Sequence, residues 1–363
     1  MKLISLLLFL ALSWGGFSQF YKPTSISLKS RGGYLIAHRA IMSHLIQNNN
    51  YGFELEFSKQ RKEQESWKDL RMPVSGLSIL FQDFGYRSVL GQTIGVFQHY
   101  SQPLVASPKY GFLDLRFGSG VAYISKKYDP LNNPKNNAIG SHINAVIDVQ
   151  LAYKKHLGPI HLGMGIGITH FSNAALLQPN LGLNTPYLDF TIGYNFDERE
   201  VPLKESIAPE VKKEKLNSTF AFTGIGSSRQ NLAGQNLPKS YPVIALQGYY
   251  SFALGNKWKW DVGTDLIYNE SNRYFFPDEG FTSAETIQWG LFTGSTVRLH
   301  KTEIFINVGY YLLNKINHSG NVYNRIGYRY LFNKYLYGLV GIKAHFGKAD
   351  YIEFGIGVRF LDR

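Results

Sequence analysis

The sequence predicts an all-β chain closed into a transmembrane, antiparallel, up-and-down β-barrel of about fourteen to sixteen strands. Three observations predict it. Period-two alternation recurs along most of the chain, the alternating runs last about ten residues, as a tilted spanning strand requires, and 36 Gly, 24 Tyr and 25 Phe supply tight corners and interfacial aromatics. A helical membrane protein is excluded, because beyond the amino terminus no apolar run reaches spanning length and mean hydropathy is -0.17. A secreted β-sandwich also alternates, but its strands commonly run five or six residues and its apolar faces meet a second apolar layer.

Residues 1–18 read as a signal peptide: Lys2, an apolar run from Leu3 to Leu12, then the small residues Gly15, Gly16 and Ser18. The mature chain then starts near Gln19. With no cysteine there is no disulfide framework, no thiolate metal site and no lipid-anchored cysteine. The net charge of +12 suits anionic lipid headgroups or lipopolysaccharide, whereas nucleic acid is not a partner expected of an exported chain.

Eight strands are expected near residues 31–37, 52–60, 74–83, 88–99, 110–124, 140–154, 159–172 and 184–196. The first has the weakest pattern, and residues 38–45 suit a short helix or loop as well. A second set is expected near 217–227, 241–253, 257–268, 284–299, 302–313, 321–331, 335–346 and 350–360. The last shows the alternation best: Ile352, Phe354, Ile356, Val358 and Phe360 share one face, opposite Tyr351, Glu353, Gly355, Gly357 and Arg359. Trp258 and Trp260 read as lipid-facing girdle residues.

Tight turns at Leu157-Gly158, Leu254-Gly255-Asn256, His300-Lys301 and Asn333-Lys334 alternate with longer loops at 125–139, 228–240 and 269–283. Short turns belong in the periplasm and long loops outside. Residues 197–216 break this parity with a charged, proline-containing stretch that resembles a periplasmic linker or loop. Either one large barrel carries it, the reading preferred here, or two tandem barrels of about eight strands flank it. Residues 19–196 then form the first barrel half and 217–363 the second set of strands.

One strand carries chemistry. From Ile160 the even positions Ile160, Leu162, Met164, Ile166, Ile168, His170 and Ser172 face lipid, while His161, Gly163, Gly165, Gly167, Thr169 and Phe171 face inward. His170 and Ser172 therefore lie about 7 Å apart on one face, near enough for the imidazole to take the serine proton. Asn184 shares the apolar parity of the next strand and is placed to orient the histidine. Polar groups on a lipid face are costly unless satisfied, either by headgroups just above the hydrocarbon or by each other in a catalytic set. Loop parity puts them at the outer-leaflet end.

The stretch His170-Phe171-Ser172-Asn173-Ala174, followed by Gln178-Pro179-Asn180-Leu181-Gly182-Leu183-Asn184, resembles the PagL lipid A 3-O-deacylases. Looser likeness to acyloxyacyl hydrolases extends upstream through Asp129-Pro130-Leu131-Asn132-Asn133-Pro134 and Asn137-Ala138-Ile139-Gly140-Ser141-His142-Ile143-Asn144. The resemblance implies an outer-membrane esterase of a Gram-negative bacterium, facing the outer leaflet and cleaving the 3-O acyl ester of lipid A in lipopolysaccharide, with no cofactor and no metal. It implies Ser172 as nucleophile, His170 as general base and acid, and an oxyanion hole of Asn180 with the backbone N–H groups of Ala174 and Ala175. The family's glutamate falls on Asn184, which can fix the histidine tautomer without supplying charge. Ala175 stands where a glycine is common.

Gly163-Met164-Gly165-Ile166-Gly167 sits inside a strand with no helix after it, so its glycines relieve crowding in the barrel and do not bind a nucleotide. His161 and His170 lie on opposite faces, so they do not form a metal pair. The rival readings are a non-enzymatic channel or structural barrel with a degenerate site, and a phospholipase using the same serine. The oligomeric state stays open, a homodimer included.

Overall fold

The computed structural model describes residues 23–61, 72–173, 176–200, 216–231, 239–299, 301–346 and 348–361. The signal peptide read at 1–18 and most of the segment read as a linker lie outside them. Sixteen strands form two closed antiparallel barrels of eight, each strand paired with its sequence neighbours. The first barrel comprises β1 Ser25–Gly33, β2 Asn50–Gln60, β3 Val74–Asp83, β4 Gln92–Ser107, β5 Gly111–Ile124, β6 Ile143–Leu157, β7 Ile160–Ser172 and β8 Leu183–Asn195. The second comprises β9 Thr219–Asn231, β10 Lys239–Ala253, β11 Trp258–Asn269, β12 Ile287–Leu299, β13 Thr302–Asn314, β14 Val322–Leu331, β15 Leu336–His345 and β16 Lys348–Leu361.

The strand total and the tandem alternative are thus found, and the preference for a single large barrel is corrected. β8 returns to β1 with Ser25 opposite Asn195 and Gly33 opposite Tyr187, while β16 returns to β9. The physical reason is that alternation is local, so it sets each strand's inward and outward faces without saying where the sheet closes. β1 also starts earlier than expected. Its inward residues Ser27, Lys29 and Arg31 are buried and polar, which mutes the hydrophobic signal, and residues 40–45 form a short 3-10 helix. Loop parity holds with two further exceptions, the long β2–β3 connection at 61–73 and the short β15–β16 connection between His345 and Lys348, which falls on the long-loop side.

Each wall is apolar outside and polar inside. Leu162, Met164, Ile166 and Ile168 of β7 and Leu188, Phe190 and Ile192 of β8 are exposed on the outer wall, as are Ile356, Val358 and Phe360 of β16 and both Trp258 and Trp260. Inside the first barrel, Asp148 accepts from Arg116 at 2.8 Å, Arg31 at 3.1 Å and Tyr187 at 2.9 Å. Glu54 pairs with Lys29, Arg31 and Arg116, and Glu56 with Lys154 at 2.9 Å. A Cβ on Gly165 would lie 2.5 Å from Gln150 Nε2, and one on Gly167 2.6 Å from the Tyr187 ring. These glycines make room for the polar filling. The second barrel is filled alike: Arg325 lies between Asp265 and Glu353, Arg329 reaches Asp261 at 2.9 Å, and Asp350 takes Arg229 at 2.7 Å and Lys343 at 2.8 Å.

An apolar cap closes the long-loop end of the first barrel. Leu35, Met42, Leu45, Phe84, Leu90 and Ile139 pack on the inward-facing Phe171 and Leu183, with Phe84 edge-on to Phe171 at 5.3 Å. At the opposite end Arg199 makes a two-point bond to Asp114, at 2.9 and 2.8 Å, and stacks on Phe112.

Removing one member of a buried ion cluster strands the others without solvent. Asp148→Ala leaves Arg31 and Arg116 short of their shared acceptor and is expected to lower unfolding free energy by about 3–5 kcal/mol. Guanidinium titration of the refolded protein in detergent micelles measures it.

Candidate active site

β7 turns Thr169 and Phe171 inward, into the ion cluster and the apolar cap, and both are fully buried. The strand's period of two then forces His170 and Ser172 onto the outer wall. The β7–β8 register sets His170 opposite Asn184 and Phe171 opposite Leu183. Two inward anchors therefore fix the pose of three outward polar residues.

His170 Nε2 lies 2.9 Å from Ser172 Oγ, and His170 Nδ1 lies 2.7 Å from Asn184 Oδ1. The Asn184 carbonyl oxygen only accepts, so the neutral ring carries its proton on Nδ1 and offers the Nε2 lone pair to the serine hydroxyl. That is the protonation state in which imidazole can serve as a base toward Ser172. Ser172 is 7% exposed and the His170 ring is half-buried, so competing water is limited at the pair. The three residues foreseen as a catalytic set thus meet in one hydrogen-bonded chain.

The described residues between β7 and β8 are tied to one another and to the β5–β6 loop. Asn173 N–H donates to Asn180 Oδ1 at 3.0 Å, Asn173 Nδ2 donates to Ser141 Oγ at 3.0 Å, and Gly182 N–H donates to the Ala138 carbonyl at 3.0 Å. Asn180 thus uses its carbonyl oxygen to accept from Asn173, and Nδ2 is its donating end. Ala174 and Ala175, foreseen as backbone donors, lie outside the described residues. Among the described residues, no three His, Cys, Asp or Glu side chains are grouped as metal ligands.

Two residues escaped the sequence reading. Ser141 braces Asn173 from the β5–β6 loop, and His38 Nδ1 lies 3.1 Å from Asn184 Nδ2. His38 follows β1, and only the pairing of β1 with β8 brings it to position 184. Closing the sheet at eight strands would have pointed to it.

Gly182 holds a left-handed backbone at φ 78°, and a Cβ there would sit 2.8 Å from His170 Cε1 and 3.1 Å from the Phe171 carbonyl oxygen. Gly182→Ala is expected to push the ring off the serine. Labelling of Ser172 by an organophosphorus probe should slow about a hundredfold, while heat-modifiable gel mobility still reports a folded barrel.

Residues 50–195 match the family described as lipid A 3-O-deacylase (PagL), and residues 217–362 match the one described as acyloxyacyl hydrolase, C-terminal domain. Among curated proteins, none matches at a significant level. Of solved structures, the outer membrane enzyme PagL is 16% identical, covering 46% of this chain and 97% of its own, at a TM-score of 0.33. A de novo designed transmembrane β-barrel is 13% identical over 40% of this chain and 98% of its own, at 0.25. A mutant porin of Rh. blastica is 10% identical over 92% of this chain and 99% of its own, at 0.16. The assignment rests on the two family matches, which between them take in both barrels: residues 50–195 belong to the lipid A 3-O-deacylase (PagL) family, a family of ester hydrolases, and residues 217–362 to the acyloxyacyl hydrolase C-terminal domain.

Proposed function

We propose that this protein removes the ester-linked 3-O acyl chain of lipid A by a serine mechanism, with the site in the outer leaflet. The observation that carries the reading is the hydrogen-bonded chain from Ser172 through His170 to Asn184 on a wall otherwise made of lipid-facing aliphatics. Ser172 Oγ attacks the acyl carbonyl as His170 Nε2 takes its proton. Asn180 Nδ2 and the N–H groups of Ala174 and Ala175 hold the oxyanion, a role in which each donor contributes a few kcal/mol. His170 then returns the proton to the departing sugar alcohol, and water repeats the sequence to free the fatty acid.

Asn184 orients His170 in this scheme without a charge to stabilise imidazolium, so turnover is expected to be slower than with a carboxylate. In the domain arrangement that accompanies the reading, residues 1–18 are a cleaved signal peptide, 19–196 the barrel that holds the active site, 197–216 a charged periplasmic linker or loop and 217–363 the second set of barrel strands. The channel alternative finds little support in lumens crossed by paired arginines and carboxylates.

The test compares lipid A from Gram-negative cells expressing the native chain, Ser172→Ala and His170→Ala. Mass spectrometry should show loss of a hydroxyacyl chain with the native protein only. Full release by Ser172→Ala would sink the serine mechanism. Intact lipid A with glycerophospholipid cleavage would assign a phospholipase, and intact lipids with large single-channel currents would assign a channel.

A further inference from the structure

Asn184 has a partner that the reaction scheme leaves unused. Its Nδ2 meets Nδ1 of His38, an exposed side chain in the segment after β1. That segment is fixed at its backbone: Ile36 N–H donates to the Asn184 carbonyl at 2.9 Å and Tyr34 N–H to the Pro186 carbonyl at 3.3 Å. Leu35, Met42 and Leu45, buried in the apolar cap, anchor it on either side of His38. The imidazole is therefore presented to position 184 by a built support.

A carboxylate at this position would accept through either oxygen, and its orientation would not matter. A carboxamide has one accepting and one donating end, so it has two orientations with opposite results. With Oδ1 toward His170, the ring protonates on Nδ1 and Nε2 is a base. With Nδ2 toward His170, the ring must accept at Nδ1 and protonate on Nε2, and nothing faces the serine that could take its proton. The far end of the amide decides between them by what it meets. A lone pair on His38 Nδ1 accepts from Nδ2 and favours the orientation in which His170 is a base.

We propose that His38 is a positioning residue that selects the amide orientation of Asn184 and, through it, the tautomer of His170. The proposal rests on the catalytic reading of Ser172 given above. A second imidazole supplies by orientation part of what a carboxylate would supply by charge.

The full-length protein in detergent micelles containing lipid A tests it. His38→Ala is expected to lower kcat about tenfold, the scale of one lost hydrogen bond, with KM unchanged. His38→Asn, which can place an accepting oxygen near the position of Nδ1, should restore most of the rate. In an Asn184→Asp background, where neither orientation is unproductive, His38→Ala should cost less than about twofold. Equal kcat for native and His38→Ala, or the same loss in both backgrounds, would overturn the proposal. The ring nitrogens give an independent reading by 15N NMR: His170 should be protonated on Nδ1 in the native protein and shift to mixed tautomers in His38→Ala. An unchanged tautomer overturns the proposal whatever the activity. Release by Ser172→Ala instead overturns the serine mechanism while leaving the tautomer result standing.

Discussion

Backbone N–H and C=O groups in hydrocarbon have no water to pair with, so a spanning sheet must join its last strand to its first. This chain meets that demand twice, at β8 with β1 and at β16 with β9. Eight strands leave an interior just wide enough for side chains, and alternation sends every second residue into it. Those residues must then satisfy each other, which is why Arg31, Glu54, Arg116 and Asp148 form one cluster and Asp265, Arg325 and Glu353 another. The filled lumen follows from the closure number.

The candidate site follows from the same geometry. Thr169 and Phe171 are held inside, so His170 and Ser172 stand outside, and the register of β7 on β8 supplies Asn184. Closure adds what neither strand could: the run after β1 lies along the start of β8, so Ile36 bonds Asn184 and His38 reaches its side chain. The Asn184 amide thereby meets an imidazole at each end, His170 at Oδ1 and His38 at Nδ2.

Much of this was legible in the residues. The 74–83 strand and its successors could be read because their two faces differ in polarity along most of their length, and the His170, Ser172 and Asn184 set because all three share a parity on adjacent strands. β1 was misplaced because its inward face is Ser27, Lys29 and Arg31, a polar set that alternates with little apolar contrast. The closure number was not legible, since it depends on which distant strand β1 meets, and the break at 197–216 was its one local sign. His38 was missed for that reason: its distance from Asn184 in sequence becomes contact only through the β1–β8 seam.

That seam also permits an order in time. The pairing of Ser25 with Asn195 joins ends far closer in sequence than a seam between β1 and β16 would. Chain length alone changes the entropy of such a closure slowly, by about 0.6 kcal/mol per doubling, but folding rates fall steeply as paired segments lie farther apart. The first barrel can seal once β8 has been delivered, without waiting for β9 to β16. His38, His170, Ser172, Asn180 and Asn184 all belong to that earlier portion, so the candidate site can be assembled before the second barrel has begun to close.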